Sequence, residues 1–230
     1  MTSIVFLPGF MCDARLFAPQ IDRLRHRFNI VPVTPVHASI SDMAAMALSA
    51  APDRFALVGL SMGGIVALEM LRQAGERVTN LILMDATARA DADENYDVRT
   101  RQINAVHSGH LDKVMREELK PAYLCDGPNK AAILALCMDM ARRLGPSAFA
   151  AQAVALRDRA SLESMLASIS IPTLVMCGQQ DRVIPLDRHQ ALATAIPGAR
   201  LDIIENAGHL PTLEQPDAVN DILDDWLGER

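Results

Sequence analysis

The chain is poor in the features that mark several protein classes. It has four cysteines, Cys12, Cys125, Cys137 and Cys177, with no Cys-x-x-Cys pair and no histidine at zinc-ligand spacing. Neither a disulfide framework nor a structural zinc site is therefore expected, and the thiols read as free and buried, Cys12 included. No stretch approaches the roughly 20 apolar residues needed to span a bilayer. No run of lysines or arginines offers phosphates an attractive surface, and the formal net charge is −6, so neither a membrane nor nucleic acid is an expected partner. The amino-terminal residues 1–8 lack the basic segment and long apolar core of a signal peptide, which makes a cytoplasmic location the expectation. Repeats and low-complexity segments are missing too. What remains is an ordinary globular composition, 50% hydrophobic and 22% charged over 230 residues, which suits one domain with room for an insertion.

Short apolar runs alternate with helical patterns along most of the chain. Residues 4–7, 28–33, 55–60, 81–84, 173–176 and 201–204 read as strands. The stretches around 17–27, 41–50, 64–74, 187–195 and 216–227 suit the helices between them. Six strands alternating with helices imply an α/β fold with a mostly parallel, doubly wound sheet. Val219, Ile222, Leu223, Trp226 and Leu227 follow the helical spacing most clearly, with Pro216 in the first turn.

Between Asp85 and Ser170 the alternation stops. Ile133, Leu136, Cys137, Met140 and Leu144 line one helical face, Asn129 can cap its start, and Gly145-Pro146 marks a stop. The expected division is a core of residues 1–85 and 169–230 with a helical cap insertion at 86–168, including a helix near 160–168 that returns the chain to the sheet. The methionines and aliphatic residues of this insertion predict an apolar pocket, and Met115, Met138 and Met140 are its candidate lining residues.

The chemistry centres on Gly59-Leu60-Ser61-Met62-Gly63, set between an apolar strand and an amphipathic helix. A serine on such a sharp turn sits in strained backbone, and flanking glycines remove the side chains that would collide across it. A serine hydroxyl is a poor nucleophile at neutral pH, so it needs a base and an acid to orient that base. Of six histidines, His209 lies on a loop directly after the last strand, at the sheet edge where active sites form. Asp181 follows the fifth strand at the same edge, and Asp85, after the fourth, competes with it for the role. His37, after the second strand, is a candidate for the pocket wall. Donors for a developing oxyanion are expected from the backbone N–H groups of Met62 and of Phe10, on the loop after the first strand, where Gly9 permits close approach.

Together these residues resemble the α/β-hydrolase family over almost the whole length. The matching segments are Leu7-Pro-Gly-Phe10, Val58 to Gly64, Gly178 to Pro185, and Asn206 to His209 followed by Glu214-Gln-Pro216; Ser61, Asp181 and His209 stand in that family's order. The resemblance implies a serine hydrolase with Ser61 as nucleophile, His209 as base, Asp181 as orienting acid and Phe10 and Met62 as oxyanion donors, needing no metal or organic cofactor. Within the family the chain looks most like small esterases and lactonases, including enol-lactone hydrolases and carrier-protein methyl ester esterases. The expected substrate is a small-molecule ester, thioester or lactone. Pro8 departs from the histidine usual in the family's oxyanion loop, and the family's first antiparallel strands are expected to be missing. Two other readings stay open: a lyase or proton-transfer enzyme on the same residues, and a ligand-binding signalling protein on a hydrolase scaffold. Oligomeric state is left open.

Overall fold

The computed structural model describes residues 2–228; Met1 and residues 229–230, assigned above to the core, lie outside it. Six strands form one sheet: β1 (Ser3–Leu7), β2 (Asn29–Pro32), β3 (Phe55–Leu60), β4 (Val78–Met84), β5 (Thr173–Gly178) and β6 (Arg200–Ile204). Their order is β2-β1-β3-β4-β5-β6, and every neighbouring pair is parallel. The sheet is therefore wholly parallel, as expected for a chain that alternates strand and helix. β1, β3 and β5 are buried at every residue, whereas the outermost strands β2 and β6 are partly exposed. Pro32 sits on the edge strand, where its missing N–H costs no central ladder bond.

Alternation within the strands divides the core into two layers. Val5, Leu7 and Leu57 join α2 (Ile40–Ala50) and α3 (Met62–Ala74) on one face. Ile4, Phe6 and Val58 meet α1 (Ala18–Leu24) and the carboxy-terminal helix on the other. Between β4 and β5 come α4 (Asn95–His107), α5 (Leu111–Lys113), a π-helical turn at Val114–Leu119 and α6 (Lys130–Arg157), with no strand among the described residues 86–168. After β5 follow α7 (Leu186–Ala195), then beyond β6 α8 (Pro211–Glu214) and α9 (Pro216–Gly228). No helix of the described residues is long and apolar enough to cross a membrane.

Two details of the insertion differ from the sequence reading. Gly145, at φ 81° and ψ 175°, breaks α6 where a stop is expected, but helix resumes at Pro146, whose fixed φ suits a new first turn. The expected return helix at 160–168 is a six-residue 3-10 helix, Glu163–Ser168. Serine hydroxyls compete with helix bonding there: Ser161 Oγ accepts the Glu163 N–H, and Ser168 Oγ donates to the Met165 carbonyl.

Strand order reverses direction at β1, so the loops leaving β1 and β3 diverge and open a crevice at the carboxyl edge of the sheet. Glycines allow these loops to touch. A Cβ on Gly63 would lie 1.9 Å from the Leu7 carbonyl oxygen, which is backbone and cannot turn aside. Gly63→Ala is accordingly expected to lower urea stability by about 3 kcal/mol or more. Gly127→Ala, with open space around the added carbon, should stay close to the parent protein in the same titration.

Candidate active site

Ser61 ends β3 and caps α3 in a conformation rare for a side-chain-bearing residue, φ 55° and ψ −117°. Its backbone is fixed on both sides. Its N–H donates to the Met84 carbonyl at 2.8 Å, and its own carbonyl accepts the Gly64 N–H at 2.9 Å. The turn aims the hydroxyl away from the strand and towards the loop after β6, where Ser61 Oγ lies 2.9 Å from His209 Nε2.

His209 is fully buried, and its backbone N–H donates to the Tyr123 carbonyl at 2.7 Å. The Tyr123 ring meets the imidazole edge-on at 5.1 Å between centroids. On the far side of the ring, Nδ1 donates to Asp181 Oδ2 at 2.8 Å. A carboxylate at Nδ1 holds the proton there and leaves Nε2 free to accept the serine proton. Asp181 is in turn fixed by its own loop, because Oδ1 accepts the N–H groups of Val183 at 2.8 Å and Ile184 at 3.1 Å. Burial works to raise its pKa, but hydrogen bonds from His189 and His209 outweigh that and hold the carboxyl well below the usual carboxylate range.

Asp85, the competing acid, takes a different place. It is fully buried at φ 44°, and its Oδ1 accepts the Gly178 N–H at 2.9 Å. Burial first, and the adjacent Asp181 charge second, push its pKa well above the carboxylate range. The two neighbouring carboxyls are thus shifted in opposite directions, Asp181 down beside the imidazole and Asp85 up behind it. Asp85, Asp181 and His209 bring ligand atoms within 4.8 Å of one another, the metal-like grouping found among the described residues. Asp181 and His209 already satisfy each other there and Asp85 accepts the Gly178 N–H, so the donor set suits hydrogen bonding better than a cation.

Two supports were not assigned any role from sequence. His189, which reads as an ordinary helical residue, is completely buried with Nε2 3.0 Å from the Ile184 carbonyl and 3.5 Å from Asp181 Oδ2. Glu214 is the second. Its Oε1 accepts the N–H groups of Gly208 and Leu210, both at 3.0 Å, and its Oε2 accepts that of Cys125 at 2.9 Å. One carboxylate therefore clamps both neighbours of His209 to the insertion. The signal for Glu214 was its place in the Glu-Gln-Pro segment, whereas His189 carried none, since a loop and a helix meet only in the fold. Glu214→Ala should cost about 2–4 kcal/mol of stability by freeing three charge-assisted bonds. It should also lower kcat roughly 10-fold with little change in KM, as read by parallel melting and ester-hydrolysis assays.

A cavity of about 480 Å³ opens onto Ser61, and Phe10, Met62, Ile65, Leu156 and Ile184 supply apolar parts of its lining. The Phe10 and Met62 backbone N–H groups donate to no acceptor among the described residues, while the next amide along, that of Met11, is taken by Gln152 Oε1 at 3.0 Å. The other expected wall residues lie elsewhere. His37 is half-exposed and sits 3.1 Å from Asp42, off the cavity. Met115 and Met138 are buried in the core layer of α2 and α3, and Met140 packs in the opposite layer, its sulfur accepting the Asp13 N–H at 3.4 Å. Helical spacing identified their buried faces correctly but says nothing of whether a face meets a cavity or another helix.

Residues 4–222 match the model of a family described as the alpha/beta hydrolase family. A pimeloyl-acyl-carrier-protein methyl ester esterase from Xanthomonas campestris pv. campestris is 28% identical over 96% of this chain and 93% of its own. A thermophilic esterase from Thermogutta terrifontis superposes with a TM-score of 0.90 at 28% identity, over 100% of this chain and 90% of that one. The enol-lactonase of Burkholderia xenovorans LB400 shares the fold, with a TM-score of 0.85 at 21% identity over 99% of this chain and 92% of its own.

Proposed function

The chain belongs to the alpha/beta hydrolase family, and from that premise we propose that it is a serine hydrolase cleaving carboxylic esters, thioesters or lactones of small to medium acyl groups. The observation that carries this reading is the unbroken line from Ser61 Oγ through the His209 ring to Asp181, at 2.9 and 2.8 Å. In the proposed reaction His209 Nε2 takes the hydroxyl proton as Ser61 Oγ attacks the carbonyl carbon. Asp181 stabilises the imidazolium without taking its proton. The Phe10 and Met62 amides, uncommitted and beside the same cavity, would receive the oxyanion. His209 then protonates the leaving group, and water, activated by the same nitrogen, releases the acid from the acyl-enzyme.

Residues 1–85 and 169–230 serve in this reading as the catalytic core and 86–168 as a cap over it. Support comes from Tyr123 and Leu156 of that segment, which line the Ser61 cavity. The apolar side chains that line the cavity suit the carbons of an acyl group. All four cysteines are free, which fits a reducing, cytoplasmic setting. A series of 4-nitrophenyl esters from acetate to octanoate, with a thioester and a lactone, tests the proposal. Turnover that needs Ser61 and changes with acyl length is expected; no turnover of any of these substrates would count against it.

A further inference from the structure

The wall of the Ser61 cavity carries more positive charge than its own carboxylates balance. Arg89, Arg99, Arg159 and Arg188 line it, against Asp91 and Glu118. Glu118 is taken by Arg101, which lies outside the lining, at 3.1 Å, and Arg89 by Glu163 at 3.2 Å. That leaves Asp91 to serve two guanidinium groups: it pairs closely with Arg99, and Arg159 Nη1 stands 3.5 Å away. The Arg188 side chain makes no hydrogen bond or ion pair among the described residues. Three cations against one anion leave an excess of two positive charges in the lining of the cavity that holds Ser61.

Burial makes that excess costly. Only 8% of the Arg159 side chain is exposed, and 7% of Asp91. Arg159 is nonetheless held in place, with Nε donating to the Arg89 carbonyl at 2.9 Å and Nη1 to the Leu156 carbonyl at 2.8 Å. Its Nη2 has no such partner. Burial lowers the guanidinium pKa below its ordinary value; Asp91 works against that shift and Arg99 adds to it. Elsewhere single arginines meet single carboxylates, as Arg142 meets Asp112 and Arg72 meets Glu69. A buried, oriented and under-neutralised guanidinium beside a cavity is built to receive an anion.

We propose that the substrate carries an oxyanion group, a carboxylate or a phosphate, that binds Arg159, Arg99 and Arg188 while its ester carbonyl lies at Ser61. This rests on the hydrolase reading and narrows it: apolar carbons lie against Phe10, Met62 and Leu156, and the anion lies on the arginine wall. The attraction should weaken as salt is raised, since Arg188 is exposed to solvent.

Two substrate pairs test this and separate the sources of the anion. Monomethyl glutarate is compared with dimethyl glutarate, and butyryl-phosphopantetheine with butyryl-pantetheine, each in the parent protein and in Arg188→Gln and Arg159→Gln. The expected result is a kcat/KM roughly 10- to 100-fold higher for the anionic member of one pair, with that ratio falling towards one in either variant. The pair showing the preference identifies a carboxylate or a phosphate. Arg188 makes no contact needed for folding, so its variant remains informative if Arg159→Gln does not fold. Arg25→Gln, a surface control, should keep the parent ratio. Hydrolysis of both members at equal rates, or an equal loss on both in the variants, overturns the inference and leaves the hydrolase reading intact. Absence of Ser61-dependent hydrolysis of all four substrates overturns both.

Discussion

Ser61→Ala is expected to lower kcat/KM for a 4-nitrophenyl ester by roughly 10⁵- to 10⁶-fold, the loss typical when a serine nucleophile is removed from a cooperating set. The substitution deletes one oxygen from a residue whose backbone is held by Met84, Gly64 and Ile65, so the turn should survive it. Any residual rate then measures what the cavity and the two free amides achieve without covalent attack. His209→Gln should cause a similar loss, and the double variant little more than either single one. Such non-additivity is the signature of groups that act as one unit, and stopped-flow or steady-state assays on the three variants would reveal it.

Asp181→Asn is expected to cost roughly 10³- to 10⁴-fold in kcat while leaving the fold in place. An amide nitrogen facing His209 Nδ1 donates where the carboxylate accepts, and drives the ring towards the tautomer with its proton on Nε2. The Ser61 hydroxyl then loses its acceptor. Asp85→Asn should behave in the opposite way, remaining within about 3-fold of the parent protein, because burial disfavours a charge at this position and an amide of the same shape still accepts the Gly178 N–H. The contrast matters more than either value. Two buried carboxyls lie side by side beyond β4 and β5, and only their environments shift one down beside the imidazole and the other up. Equal losses in the two variants would mean that the roles of the two carboxyls are wrongly divided.

Much of the fold was legible because its causes are local. Continuous apolar runs marked β1, β3, β4 and β5, since parallel strands are covered on both faces, and the spacing of Val219 to Leu227 marked α9. Gly59 and Gly63 announced the turn at Ser61 because added side chains there would strike backbone. The insertion was less legible. Serine hydroxyls turned the segment near 160–168 into a 3-10 helix, and Gly145 interrupted a helix without ending the helical region.

For the candidate site, the meeting of Ser61, Asp181 and His209 was legible because their loops follow strands, and strand order alone carries all three to one edge. The residues that did not read are those whose meaning depends on contact across the fold. Met115, Met138 and Met140 have the pattern of a wall and the surroundings of a core. Arg99 and Arg159 lie 60 residues apart in sequence and become a single charged feature only where both reach Asp91. Glu214 likewise gains its importance from Cys125, 89 positions away.

The account stands on Ser61 attacking carbon with His209 as its base. Treating the folded protein with a fluorophosphonate and mapping the adduct by peptide mass spectrometry tests that most directly. One adduct on Ser61 is predicted, formed at least roughly 100-fold more slowly in His209→Gln. An unlabelled Ser61, or labelling at the same rate without His209, would contradict the account.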